Sequence, residues 1–170
     1  MAPTSFMSLP HVIRPAEGPD VPTRRLRTAF KVRTHLTQGR AAIVEHALPP
    51  RHLAAPLHRH SREDEISIVF EGQLGALLGG DVVFAGPGSY VMKPRGQWHT
   101  YWNAGDAPLR FVEVILPGGL EGYFERLSSM LVEGAPAYPA AIQSLAAEYG
   151  VELDFWSIPE LCRRFDVTYR

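Results

Sequence analysis

Cysteine is nearly absent from this chain. Cys162 is the only one in 170 residues, so no disulfide can form within the chain. That usage suits a reducing compartment, and a cytoplasmic setting is the expectation. Lysine is almost as scarce: of the 17 basic residues only Lys31 and Lys93 are lysines. The net charge of −1 and pI of about 6.7 leave no basic surplus for a phosphate backbone, which argues against a nucleic-acid partner. No segment approaches the roughly 20 consecutive apolar residues of a membrane span, so no membrane partner is expected. The first 23 residues lack an apolar run and are punctuated by proline, so they do not read as a secretory leader. Arg24-Arg25 is followed by Leu26-Arg27-Thr28 rather than by an apolar stretch, which excludes a twin-arginine signal. Internal repeats and low-complexity tracts are also missing.

What remains is an ordinary globular composition, 45% hydrophobic and 21% charged. A chain this long buries roughly two-thirds of its unfolded surface without staples. Residues 1–28 read as an extended, proline-punctuated arm. From Ala29 to Leu116 the pattern is short β-type runs, at about 29–36, 40–48, 64–71, 73–78, 81–85, 89–93, 98–103 and 109–116. Turn signals separate them, among them Gly79-Gly80-Asp81, Gly86-Pro87-Gly88 and Pro94-Arg95-Gly96. Many short strands at even spacing predict an antiparallel sandwich or barrel over 29–116. After Pro117 the period changes. Leu120, Tyr123, Phe124, Leu127, Met130 and Leu131 form one helical stripe, and Ile142, Leu145, Ala146 and Tyr149 a second that stops at Gly150. Ser157-Ile158-Pro159-Glu160 has the form of a capping box opening a third helix through Phe165. Residues 117–170 are therefore expected to be helices packed on the barrel.

The chemistry concentrates in two blocks. His58 and His60 lie two apart in a strand-like stretch, so both imidazoles share one face. Acidic residues follow at Glu63, Asp64 and Glu65, and His99 lies on a later strand that can return opposite the first block. Imidazoles plus a carboxylate suit one divalent transition metal: Fe, Mn, Ni, Co, Cu or Zn. His11, His35 and His52 read as surface histidines. Glu45 and His46 point to opposite faces of one strand, and parity alone does not say which faces inward.

As a pattern, His58, His60, Glu65 and Gly72 spell H-x-H-x4-E-x6-G, and Gly88, Pro94, Gly96, His99 and Asn103 spell G-x5-P-x-G-x2-H-x3-N. This resembles the two signature motifs of the cupin superfamily. The glycine that usually opens the first motif is replaced here by His52. Glu63-Asp64-Glu65-Ile66, Lys93-Pro94-Arg95-Gly96 and the helical tail also resemble a bacterial, quercetin-dioxygenase-like branch of single-domain cupins. The resemblance implies an all-β jelly-roll barrel with a C-terminal helical extension, and a metal held by His58, His60, Glu65 and His99. Glu65 takes the carboxylate role because it alone places Gly72 six residues on. Glu63 and Asp64 are then expected to be solvated, or paired with Arg59 or Arg62.

Four protein ligands leave two octahedral positions open, as in a catalytic centre. Parity puts Ser67 and Val69 on the face of Glu65 and Tyr101 on that of His99, and Met92 is expected beside them. The implied pocket is mostly apolar and suits a small organic molecule, with Tyr101 the candidate catalytic residue. The leading reading is a metal-dependent dioxygenase. A non-redox isomerase, cyclase or lyase comes second, and a binding module without turnover third. The same parity turns Ile66, Ile68 and Phe70 outward, and three such side chains need a cover. The helical tail or a second subunit would provide it, and a homodimer is expected.

Overall fold

The computed structural model describes residues 12–15, 17–21, 23, 25–131 and 139–169. His11 and the outer part of the arm lie outside the described residues. Alternation of apolar and polar side chains drives the barrel. Strand β2 (Ala42–Leu48) buries Ala42, Val44, His46 and Leu48, and β9 (Leu109–Leu116) buries Leu109, Phe111, Glu113 and Ile115. With β1 (Arg27–Val32), β4 (Asp64–Glu71) and β7 (Tyr90–Lys93) they form one antiparallel sheet, ordered β1-β2-β9-β4-β7. The second sheet contains β3 (Leu57–His60), β5 (Leu74–Leu78), β6 (Asp81–Ala85), β8 (His99–Asn103) and β10 (Val151–Asp154), ordered β10-β3-β8-β5-β6. The two sheets enclose a jelly-roll core in which Val69, Leu74, Leu109 and Phe111 are fully buried. Truncating Phe111 to alanine there would cost about 3–5 kcal/mol.

Among the described residues three helices follow: α1 (Glu121–Met130), α2 (Pro139–Glu148) and α3 (Ile158–Phe165). The stripes of α1 and α2 pack with Phe30, Val44 and Ile115, so the tail closes one end of the barrel. Leu161 of α3 packs instead on Leu53, Leu77 and Trp102 outside the second sheet.

Three details differ from the sequence expectations. Residues 34–37 form a single 3-10 turn rather than the end of a strand. Strand β10 was not foreseen; it lies between helices and pairs with β3 from Val151↔His60 to Asp154↔Leu57. The capping box does not form, because Ser157 Oγ accepts from the Leu57 amide and donates to the Asp154 carbonyl.

Several motif positions serve the backbone. Gly72 has φ of +80°, and a Cβ there would lie 2.5 Å from the Pro108 carbonyl oxygen. Asn103 Nδ2 reaches the carbonyls of Leu48 and Ala107, and its Oδ1 accepts from the Gly105 amide, pinning the turn before β9.

Candidate metal centre

Strands β3 and β8 place His58 directly opposite His99, and alternation puts His60 on the same inner face as His58. Glu65 reaches them from β4 in the facing sheet. One ligand atom from each of the four residues lies within 4.8 Å of all the others, and all four residues are buried. Glu65 Oε2 is 3.4 Å from His99 Nε2, and Glu65 Oε1 is 3.7 Å from His60 Nε2. Ligand atoms about 2.1 Å from one ion lie about 3.0–3.4 Å apart at adjacent positions, so a small contraction suffices.

The hydrogen bonds around the imidazoles orient them for an ion. His58 Nδ1 bonds the Pro56 carbonyl at 2.8 Å, and His99 Nδ1 bonds the Gln97 carbonyl at 3.0 Å. A carbonyl only accepts, so Nδ1 carries the proton on both rings and each Nε2 keeps its lone pair. His60 Nδ1 faces Glu63 Oε2 at 3.7 Å. His60 Nε2 and His99 Nε2 are buried without a hydrogen-bond partner, a costly arrangement that a cation would relieve. Burial, aided by the neighbouring imidazoles, holds His58 well below its usual range, and burial also lowers His99. Burial opposes ionisation of Glu65, but Lys93 and His60 outweigh it and keep its carboxyl well below normal. For His60 burial is again opposed, here by Glu65 and Glu63, and the ring is raised. Two neutral imidazoles and an ionised carboxylate are the protonation states a metal requires. The donor set therefore fits a divalent transition metal held by His58, His60, Glu65 and His99.

Lys93 was not anticipated. It is 1% exposed, with Nζ 2.5 Å from Glu113 Oε2 and 3.2 Å from Glu65 Oε2. Ser67 Oγ donates to the same Glu113 oxygen at 2.9 Å. Burial raises Glu113 to about 7 despite the ammonium beside it. Lys93 thus ties the metal-ligand carboxylate to a buried Lys–Glu–Ser network. Strand parity carried the signal: Glu113 occupies an inward position between Phe111 and Ile115.

The structure corrects four expectations around this site. Met92 is 48% exposed on the outer face, because β7 is one residue out of the assumed phase and turns Val91 and Lys93 inward. Ser67 and Val69 do share the inner face with Glu65, but they sit deeper in the barrel and do not line the cavity. Glu63 is buried beside His60, and Asp64 pairs with Arg95 at 2.7 Å, while Arg59 pairs with Glu152. His52 is buried against Thr168 Oγ1 at 3.0 Å rather than lying on the surface, whereas His35 is exposed. His46 is the inward member of its pair. Glu45 faces out between Lys31 and Arg110.

A cavity of about 80 Å³ opens beside His58, His60 and Glu65. Tyr101 lines it, with Lys93 Nζ 4.7 Å from its ring centre, and burial raises its hydroxyl well above the usual range. His46, whose Nδ1 lies 3.0 Å from Thr28 Oγ1, is held near 3 by burial and then by Lys93. The remaining wall is largely apolar and comes from the tail, including Tyr123, Phe124, Leu127 and Phe155. Sequence reasoning missed these because a helical stripe looks the same whether it meets a barrel wall or a hollow.

Residues 44–115 match the family described as Cupin domain. The matched segment, less than half of the chain, is similar to a cupin domain. The wider fold is shared with proteins of known structure. A predicted oxalate decarboxylase from Thermotoga maritima superposes with a TM-score of 0.57 at 23% identity, over 63% of this chain and 99% of that one. KdgF from a Halomonas species gives 0.58 at 15% identity, over 65% and 96%. The polyketide cyclase RemF from Streptomyces resistomycificus gives 0.54 at 23%, over 64% and 80%. At such identities these proteins share the fold with this chain, and fold alone does not carry chemistry. No curated protein matches the chain.

Proposed function

We propose that this chain is a metal-dependent cupin enzyme acting on a small organic molecule, with dioxygenase chemistry as the leading reading. One observation carries it. Three imidazoles and a carboxylate converge on a point that borders an internal cavity, with His60 Nε2 and His99 Nε2 buried and without a hydrogen-bond donor or acceptor. A purely structural site would be closed on all sides. A divalent ion held there supplies Lewis acidity and, if redox-active, a route to dioxygen. The chain's own residues do the rest. The apolar wall excludes water, and Tyr101, a lining residue whose hydroxyl stays protonated, is the group that would donate to a developing oxyanion. Oxygen uptake by Fe(II)-loaded protein with enolisable diketones, flavonols or catechols tests this. Substrate turnover without oxygen uptake would replace it with the non-redox isomerase, cyclase or lyase reading. That reading draws support from Tyr101 and His46, two proton-bearing groups on the wall.

We further propose that the enzyme is a homodimer. The outer face of the first sheet aligns Ile43, Val114, Ile66 and Met92 across four strands, and Val112, Ile68 and Tyr90 in the next row. Tyr90 is 71% exposed, and the tail packs elsewhere. Four strands about 4.8 Å apart, over the roughly 13 Å of the shortest, make a flat apolar face of about 250 Å². Exposed Tyr90 and Met92 continue these apolar rows, and a second copy of the same face supplies a matching cover for them. A cytoplasmic setting is in keeping with the single thiol of Cys162. Among the described residues no helix is long and apolar enough to cross a membrane.

A further inference from the structure

The cavity beside the metal ligands is too small for most organic substrates. Its 80 Å³ is about half the roughly 150 Å³ that holds one benzene. A second hollow of 620 Å³ lies at the helical end of the chain. Ile142, Leu153, Phe155 and Tyr169 line both spaces, so the hollow adjoins the cavity along a common rim. Together they span the range of ordinary ligand pockets.

The outer hollow has a marked chemical character. Trp156 stands at its edge, 93% exposed, on the 3-10 turn between β10 and α3. That turn is held in place, since Asp154 Oδ1 accepts from the Trp156 amide at 3.0 Å. Pro139, Ile158 and Pro159 add further apolar surface. A large indole left in water beside an apolar hollow is unusual for a soluble surface and typical of a ligand contact. Among the described residues, neither lining includes an arginine or a lysine. Lys93, the cation nearest the metal ligands, is spent on Glu65 and Glu113 behind the wall.

We propose that the substrate has two parts: a compact head with a chelating oxygen pair that enters the metal cavity, and an uncharged aromatic or alicyclic body that seats in the outer hollow against Trp156 and Phe155. The head rests on the proposed function above; the body rests on the hollow alone. A compact dicarboxylate or a sugar phosphate is disfavoured in these two spaces, because it would find no side-chain cation in either lining and would leave the hollow empty.

The test uses Co(II)-loaded full-length protein and two diketones with the same head, acetylacetone and 1-phenyl-1,3-butanedione. Visible bands of the cobalt report the head. Both compounds should shift them, and the phenyl compound should bind about 10–100-fold tighter, the gain from burying one ring. Trp156→Ala should remove most of that gain and leave acetylacetone affinity unchanged. Trp156 is so exposed that its loss should spare the fold. Equal affinity of the two diketones, or a phenyl gain that survives both Trp156→Ala and Phe155→Ala, would overturn the proposal. If neither diketone moves the cobalt bands, the open-position reading fails, and the body is decided alone. Naphthalene should then still quench the Trp156 share of the emission, obtained by difference from Trp156→Phe. Absence of quenching would overturn the proposal independently of any metal.

Discussion

Replacing Lys93 with methionine removes a buried ammonium while nearly conserving its length and volume. In the metal-free protein Lys93 is the counter-charge of two buried carboxylates, at 2.5 Å from Glu113 and 3.2 Å from Glu65. Breaking a buried ion pair from one side costs about 3–5 kcal/mol, because the stranded charge has no solvent. The low end applies here. Glu113 already sits near 7 and takes up a proton once the ammonium is gone. Glu65 remains an unpaired anion beside His60 and His99. At about 2–4 °C per kcal/mol for a chain of this size, the melting temperature in chelator should fall by about 6–12 °C. A bound divalent cation takes over as the partner of Glu65, so saturating metal should restore at least half of that loss. With no ammonium opposing the cation, the variant should also bind metal severalfold more tightly than the parent. Thermal melts with chelator and with Zn(II), together with a competition titration, read both effects. An equal loss in the two melts, or weaker metal binding by Lys93→Met, would refute the counter-ion role.

Three other outcomes are expected. His46 is held near 3 in the folded protein and lies near 6.5 when unfolded, so the unfolded chain binds the extra proton between those values. The stability tied to its neutral form is therefore complete above pH 6.5 and is lost as pH falls toward 3, by about 1.4 kcal/mol per unit. Between pH 7.5 and 5.0 the parent should lose about 2 kcal/mol more than His46→Gln in urea unfolding, and parallel profiles would exclude the effect. Once a substrate is identified, Tyr101→Phe should lower kcat by about 10²–10³ with metal content unchanged, and full activity would return the residue to packing against Phe111. Light scattering should give twice the 18.9 kDa chain mass, reduced to one chain by Ile68→Lys at the centre of the apolar face; a monomeric parent would rule out the dimer.

Much of this architecture is legible in the sequence because alternation and turn residues are local signals. The inward sets of β2 and β9 are such patterns, and Gly72 and Asn103 occupy places where backbone geometry leaves few alternatives. The convergence of His58, His60, Glu65 and His99 follows from strand parity together with the spacing of two motifs. What escaped was non-local. The phase of β7 depends on the turn before it, so Met92 and Lys93 exchanged faces. Strand β10 gains its partner β3 across some ninety residues, which no window of sequence displays. Glu63 looked like a solvated charge because nothing nearby shows that it sits behind His60. The tail residues that wall the cavity have the same stripe they would need for ordinary packing.

Metal content tests the four-residue centre most directly. Protein purified without added metal and dialysed against buffer should carry close to one divalent transition-metal ion per chain by elemental analysis. His99→Ala should carry almost none while keeping the far-ultraviolet circular dichroism of a folded barrel. A parent chain without metal even after reconstitution, or a fully occupied His99→Ala protein, would contradict the site.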